Sequence, residues 1–175
     1  VTSKKRDTRF MVSRSSGQSP IAPEKLKAVI RAAFAVFPIP ADHRRNDGIA
    51  NYEVDDDVLK FHGRMWTEIS LDHWIRSISP SAIRRATNSD FFKYYLPSLL
   101  VGVIQYRDYS YLALEALLPD NPKYEPRSDW KECRMNFSAE QAEAVVSFLE
   151  LIKESSTPDS AEWHAADAGL GGLWD

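Results

Sequence analysis

The side chains best equipped for chemistry in this sequence are four histidines, one cysteine and an acidic triplet. His43, His62, His73 and His164 stand at no i, i+3 or i+4 spacing, so no two of them form a ligand pair on one helix face, and the HExxH pattern of a zinc protease is absent. Their spacing predicts isolated surface histidines. The stretch from His43 to Val54 has Gly48 in the sixth position, as a calcium loop requires, but puts His43, Arg45 and Val54 where carboxylates are needed. Asp55, Asp56 and Asp57 could hold a hard cation or a basic partner, yet a carboxylate run also suits a helix start through the macrodipole.

Cys133 is the only cysteine, which leaves no partner for a disulfide within the chain and fits a reducing compartment such as the cytosol. It lies in KECRMNF without a histidine close in sequence, a weak setting for a nucleophile. GLGGLW lacks the lysine and hydroxyl of a phosphate-binding loop, and neither GxGxxG after a strand nor GxSxG occurs. No cofactor or metal site is expected on these grounds.

Charge is unevenly laid out. The net charge is -3, but residues 1–20 carry Lys4, Lys5, Arg6, Arg9 and Arg14 against Asp7, whereas residues 119–175 carry five basic and twelve acidic side chains. Nucleic acid is therefore not an obvious partner, although the basic arm offers a third reading as an anchor for nucleic acid or an anionic membrane. No run reaches the roughly 18 apolar residues of a membrane helix. The first twenty residues also lack the apolar centre and cleavage site of a secretory signal.

The elements that must position these groups are all helical. Pro20 and Pro23 introduce EKLKAVIRAAFAVF, with Leu26, Val29, Ile30, Ala33, Phe34 and Phe37 on one face, ending at Phe37 before Pro38. A second helix is expected over roughly 55–65, ending or bending at Gly63. Ser70 then caps LDHWIRSI, and Pro80 starts SAIRRA. In DFFKYYLPSLLVGVIQY a proline interrupts an apolar run. An interior proline costs about 3 kcal/mol, so the expectation is two helices meeting at a corner, with Leu96 extended and Pro97 opening the second. Ser89 or Asp90 caps the first and Asp108 the next, YSYLALEALL. PDNPKYEP through Ser128 reads as a loop. Ser138 with Gln141 forms a capping box for AEQAEAVVSFLELIKES, and AEWHAADAGLGGLWD is a short, glycine-frayed helix closed by Trp174.

These elements make an all-α bundle of six to eight helices with a proline corner. Its organisation is a basic arm (1–19), a helical domain (20–157) and an acidic, glycine-rich segment packed on it (158–175). FHGRMW, DFFKYYLPSLL and FSAEQAEAVVSFLELI resemble an uncharacterised family of small bacterial all-helical domains. That family carries F-x-G-x-x-W, then Y-Y-L-P, then F-[ST]-x-E-Q-x-x-x-V-x-x-F-L. The resemblance spans roughly residues 24–155 and rests on Phe61, Gly63, Trp66, Tyr94, Tyr95, Leu96, Pro97, Phe137, Gln141 and Phe148. It implies a compact bacterial domain in which these residues are a packing signature, and it implies no activity.

The leading functional expectation is a non-catalytic, cytoplasmic protein-binding module whose partner is another protein, such as a basic toxin domain. Immunity proteins share this size, acidity and lack of recognisable chemistry. Asp55, Asp56, Asp57, Asp159, Glu162, Asp167 and the anchors Trp163 and Trp174 are the expected binding residues. The competing expectation is an enzyme or small-molecule binder with a pocket at the proline corner lined by Tyr94, Tyr95, His62 or His73.

Overall fold

The computed structural model describes residues 21–45, 56–121 and 124–174. The basic arm, Asp55 and the polar loop around Gly48 lie outside the described residues. Helix α1 (Pro23–Ala33) starts on Pro23, where a missing N–H costs nothing. It buries Leu26 and Ile30 one turn apart and releases the chain at Phe34, whose N–H donates to Ile30 O. The helix thus stops four residues short of Phe37, which is 67% exposed.

Beyond a helical turn at 56–58 the chain bends through Gly63, at φ +73°, a left-handed conformation that suits glycine. A 3-10 turn (Trp66–Glu68) leads to α2 (Leu71–Ile75), which follows Ser70 as expected. Pro80 opens α3 (Pro80–Ala86), and Ser79 Oγ accepts from Ala82 N. Next comes α4 (Ser89–Gln105), capped by Asn88 Oδ1 on Phe91 N at 2.8 Å. The cap sits one residue before the two expected, because Asn88 also donates to Asp42 O and Arg44 O and is held by that strap.

The proline corner is not there. Pro97 lies inside one continuous helix, α4, whose buried residues run from Phe91 to Ile104 on every side. A helix apolar all round belongs at the centre of a bundle, and α4 packs against α1, α2, α3, α5 and α6. Fully burying a leucine contributes about 1.5–3 kcal/mol, so Leu96, Leu99 and Leu100, each 0% exposed, together outweigh the roughly 3 kcal/mol of an interior proline. A break at Leu96 would also move Ser98 out of register with Tyr94 and Tyr95, all three of which hold neighbouring segments.

After a 3-10 turn (Arg107–Tyr109) come α5 (Ser110–Leu117) and α6 (Ser128–Met135). Asp108 falls within the turn instead of capping a helix. Helix α6 starts inside the stretch read as loop: only Asp129, Trp130 and Cys133 are buried on it, too sparse a stripe to announce itself. Helix α7 (Ala139–Ser155) has the expected capping box, with Ser138 Oγ accepting from Gln141 N and Gln141 Oε1 from Ser138 N. Helix α8 (Ala161–Ala168) folds back on α7, and a wider turn (Gly169–Leu173) delivers Trp174. Gly169 allows that return, since a Cβ there would meet Leu149 at 2.9 Å and Leu118 at 3.0 Å. Among the described residues there are no strands, only a bridge between Arg44 and Thr87. None of the described helices is long and apolar enough to cross a membrane.

Candidate functional site

One turn of α4 carries YYLPS, and its two tyrosines and its serine each bond to a neighbouring segment. Tyr94 Oη donates to Val36 O at 2.7 Å and accepts from Trp66 N at 3.4 Å. Tyr95 Oη donates to Arg64 O at 2.9 Å. Ser98 Oγ donates to Tyr95 O at 2.6 Å and accepts from Trp74 Nε1 at 2.8 Å. The strap after α1, the FHGRMW segment and α2 are therefore all fixed to this turn. Phe61 completes it, with ring centroids 4.9 Å from Trp74 and 5.5 Å from Tyr95.

The aromatic turn around Pro97 lies in the core. Tyr94, Tyr95, Leu96, Pro97 and Trp66 are buried. Burial pushes the Tyr95 phenol up to about 12, helped by the neighbouring Tyr94, and pushes Tyr94 up as well. Both hydroxyls stay protonated as donors to carbonyls, which is what their contacts require.

The histidines correct the expectation of isolated surface residues. His43 is 7% exposed. Its ring meets His62 at 5.8 Å and Phe91 at 5.7 Å, and His62 stacks on Phe91 at 6.4 Å. His73 Nε2 lies 2.8 Å from Arg64 Nη1, and its Nδ1 lies 2.8 Å from Ser70 Oγ. A guanidinium can only donate, so Nε2 faces a donor, and the Ser70 N–H donates to Nδ1 at 3.2 Å. His164 is exposed, 3.9 Å from Asp159. Among the described residues no group of three or more His, Cys, Asp or Glu could hold a metal ion.

The binding residues expected in the acidic triplet part company. Asp56 is exposed; Asp57 is occupied by Lys60 and by Ile78 N at 2.8 Å. The C-terminal set is divided too. Trp174 is not an exposed anchor: it is 3% exposed, edge-on to Phe137 at 5.1 Å and Trp130 at 6.3 Å, under the Arg134 guanidinium at 4.8 Å. A large apolar ring at the end of the chain gains more by closing the core than by facing water. Trp163 is half-buried. Lys153 lies 4.7 Å over its ring and bonds Asp167 at 2.6 Å. Asp159, at φ 64°, and Glu162 stand where α8 begins, at the tip of the α7–α8 hairpin.

Sequence reasoning missed a heavily bonded buried cation. Arg84, 2% exposed, donates through Nη1 to Glu115 O, Ala116 O and Leu118 O at 3.0, 2.7 and 3.0 Å. Its other nitrogens reach Asp129 at 3.5 Å and Asp120 at 3.2 Å. Trp130 Nε1 and Trp174 Nε1 each donate to Leu117 O at 2.9 Å. Long-range donors thus satisfy the carbonyls that the end of α5 leaves open. Nothing in IRRA marks Arg84 rather than Arg85 for burial except Ile83 and the pitch of α3. Beside this cluster Cys133 is buried, which pushes its thiol up to about 12; a nucleophilic thiolate is not available there. The sequence also gave no warning of the exposed Phe37, Leu59, Ile75, Tyr106, Tyr111, Tyr124 and Met135.

Fold and site together define an all-helical domain organised around one central helix. Compared with known protein families, curated proteins and solved structures, the chain has no match.

Proposed function

We propose that the chain is a non-catalytic protein-binding module whose partner is a basic protein, acting in the cytoplasm. A particular form of this reading is an immunity protein that covers the active site of a toxin. The observation that carries it is the acidic, partly aromatic tip of the α7–α8 hairpin, where Asp159, Glu162 and Trp163 come together in the third of the chain richest in carboxylates. Complementary charge gives such a surface partner choice and a fast encounter. The buried turn at Pro97 supports this reading over a small-molecule pocket, because its hydroxyls are engaged with backbone carbonyls. The resemblance to small bacterial helical domains stays within the same proposal, since the residues that carry it are packing and turn residues. Copurification with the full chain as bait tests it: a stoichiometric basic protein is expected, and for the immunity form the chain inhibits that protein's activity. If no protein comes down in stoichiometric amount from the native host, the proposal fails.

A further inference from the structure

The segment QYRDYSY (105–111) ends α4 and turns the chain into α5. Its one cation faces inward: Arg107 Nε donates to Ile104 O and Nη1 to Ser155 Oγ, both at 3.0 Å. Ser155 Oγ in turn donates to Leu151 O at 2.7 Å. The turn is therefore clamped to the C-terminal end of α7, and its outer surface is left to aromatic rings. Tyr106 is 55% and Tyr111 51% exposed, and the half-buried Tyr109 has its ring 6.4 Å from that of Tyr111.

The turn and the hairpin clamped to it also carry carboxylates. Asp108 is exposed within the turn, Glu154 is exposed beside the clamping Ser155, and Asp159 and Glu162 follow in the hairpin that Ser155 enters. The ammonium of this hairpin, on Lys153, is bonded to Asp167 and covered by Trp163. The end of the bundle thus presents phenol rings and negative charge, with the Arg107 and Lys153 cations turned to the protein.

We propose that this tyrosine turn and the adjoining tip of the α7–α8 hairpin form one docking surface for a lysine- and arginine-rich segment of a protein partner. The inference rests on the protein-binding reading and names its surface. Tyrosine supplies large contact area at little conformational cost, and its face attracts a guanidinium. The carboxylates of the turn and hairpin steer a basic segment to it and disfavour an acidic one. Tyrosine is also among the residues that dominate interface energetics.

The test titrates the full chain, nitrogen-15 labelled, with an arginine-rich peptide and with its glutamate-for-arginine counterpart. Saturable shifts are expected at 105–111 and 154–163 with the arginine peptide only. Tyr106→Ala with Tyr111→Ala should weaken binding about tenfold or more. Asp108→Asn with Glu154→Gln should weaken it and flatten its salt dependence. Met135→Ala, which trims an exposed side chain outside the surface, should leave the affinity unchanged. Circular dichroism and the melting temperature of each variant separate lost contact from lost fold. Shifts elsewhere, no saturable binding, or a dimer that the tyrosine variant dissolves would overturn the inference. A host protein that copurifies equally well with the tyrosine variant refutes the surface and leaves the protein-binding reading standing. No copurifying partner, with the peptide still seated on the turn, refutes that reading and leaves the surface.

Discussion

Replacing Arg84 by methionine tests the reasoning behind a deeply buried charge. The guanidinium holds the carbonyls of Glu115, Ala116 and Leu118 and faces Asp129, whose side chain is 9% exposed. Methionine fills a similar volume but donates nothing, so three helix-end carbonyls and a nearly buried carboxylate lose a donor at once. Each unsatisfied buried acceptor costs about 1–3 kcal/mol, and breaking a buried ion pair by removing one member costs about 3–5 kcal/mol. These losses overlap, because the Leu117 carbonyl keeps its two indole donors and the freed end of α5 can admit water. The expected destabilisation is therefore about 3–5 kcal/mol, read as a lower urea midpoint at neutral pH with an unchanged slope. Arg84→Lys, which keeps the charge but cannot fork across three carbonyls, should lose about half as much. A loss below about 1 kcal/mol for the methionine variant would refute the account, since it would mean that solvent already serves these carbonyls. Asp129→Asn closes a double-mutant cycle, and the two losses should be clearly non-additive.

Pro97→Ala restores the N–H that α4 lacks opposite the Lys93 carbonyl. It should leave stability unchanged or raise it by about 1–2 kcal/mol, whereas Leu96→Ala beside it should lose about 2–5 kcal/mol; equal losses in thermal melts would contradict the continuous-helix reading. Gly102 sits where a Cβ would lie 2.8 Å from Leu71 Cβ, so Gly102→Ala should push α2 from α4 and cost about 1–3 kcal/mol by denaturant titration. With its folded pKa raised to about 12 from a usual value near 10, Tyr95 binds its proton more tightly folded than unfolded. Its contribution is whole below pH ~10 and is lost as pH rises towards ~12, so ultraviolet titration should show late phenols from Tyr95 and from Tyr94, which burial also raises, and Tyr95→Phe should remove one of them. Cys133, pushed up to about 12 by burial, should resist iodoacetamide in the native protein and react readily in urea.

The helices that could be read from the sequence were those whose signals are local. Leu26 and Ile30 one turn apart, Ser70 before α2, Pro80 at the head of α3 and Ser138 with Gln141 before α7 all act within a few residues of themselves. The misreadings share a cause of the opposite kind. Pro97 argues locally for a break, but the packing that surrounds α4 on all sides holds the helix together. Helix α6 shows a weak pattern because two of its buried side chains, Asp129 and Trp130, serve the distant Arg84 and Leu117. Of the candidate site, the carboxylates of the C-terminal hairpin were visible as composition. The tyrosine turn was passed over because tyrosines in YRDYSY are equally at home in a core.

An all-helical chain, most of its helix starts and the drift from basic to acidic charge along it are legible from neighbouring residues alone, since propensity, capping and charge are local properties. Which aromatic rings close the core and which face water depends on contacts between remote segments. Trp174 and Tyr94 went inside because donors and acceptors from remote segments met them there, at the Leu117 carbonyl and at Val36 and Trp66. Tyr106 and Tyr111 stayed outside because Arg107 bonds inward to Ser155 and fixes the turn that displays them. Burial is a pairwise outcome between segments far apart in the chain, and local pattern carries no information about the second member of the pair.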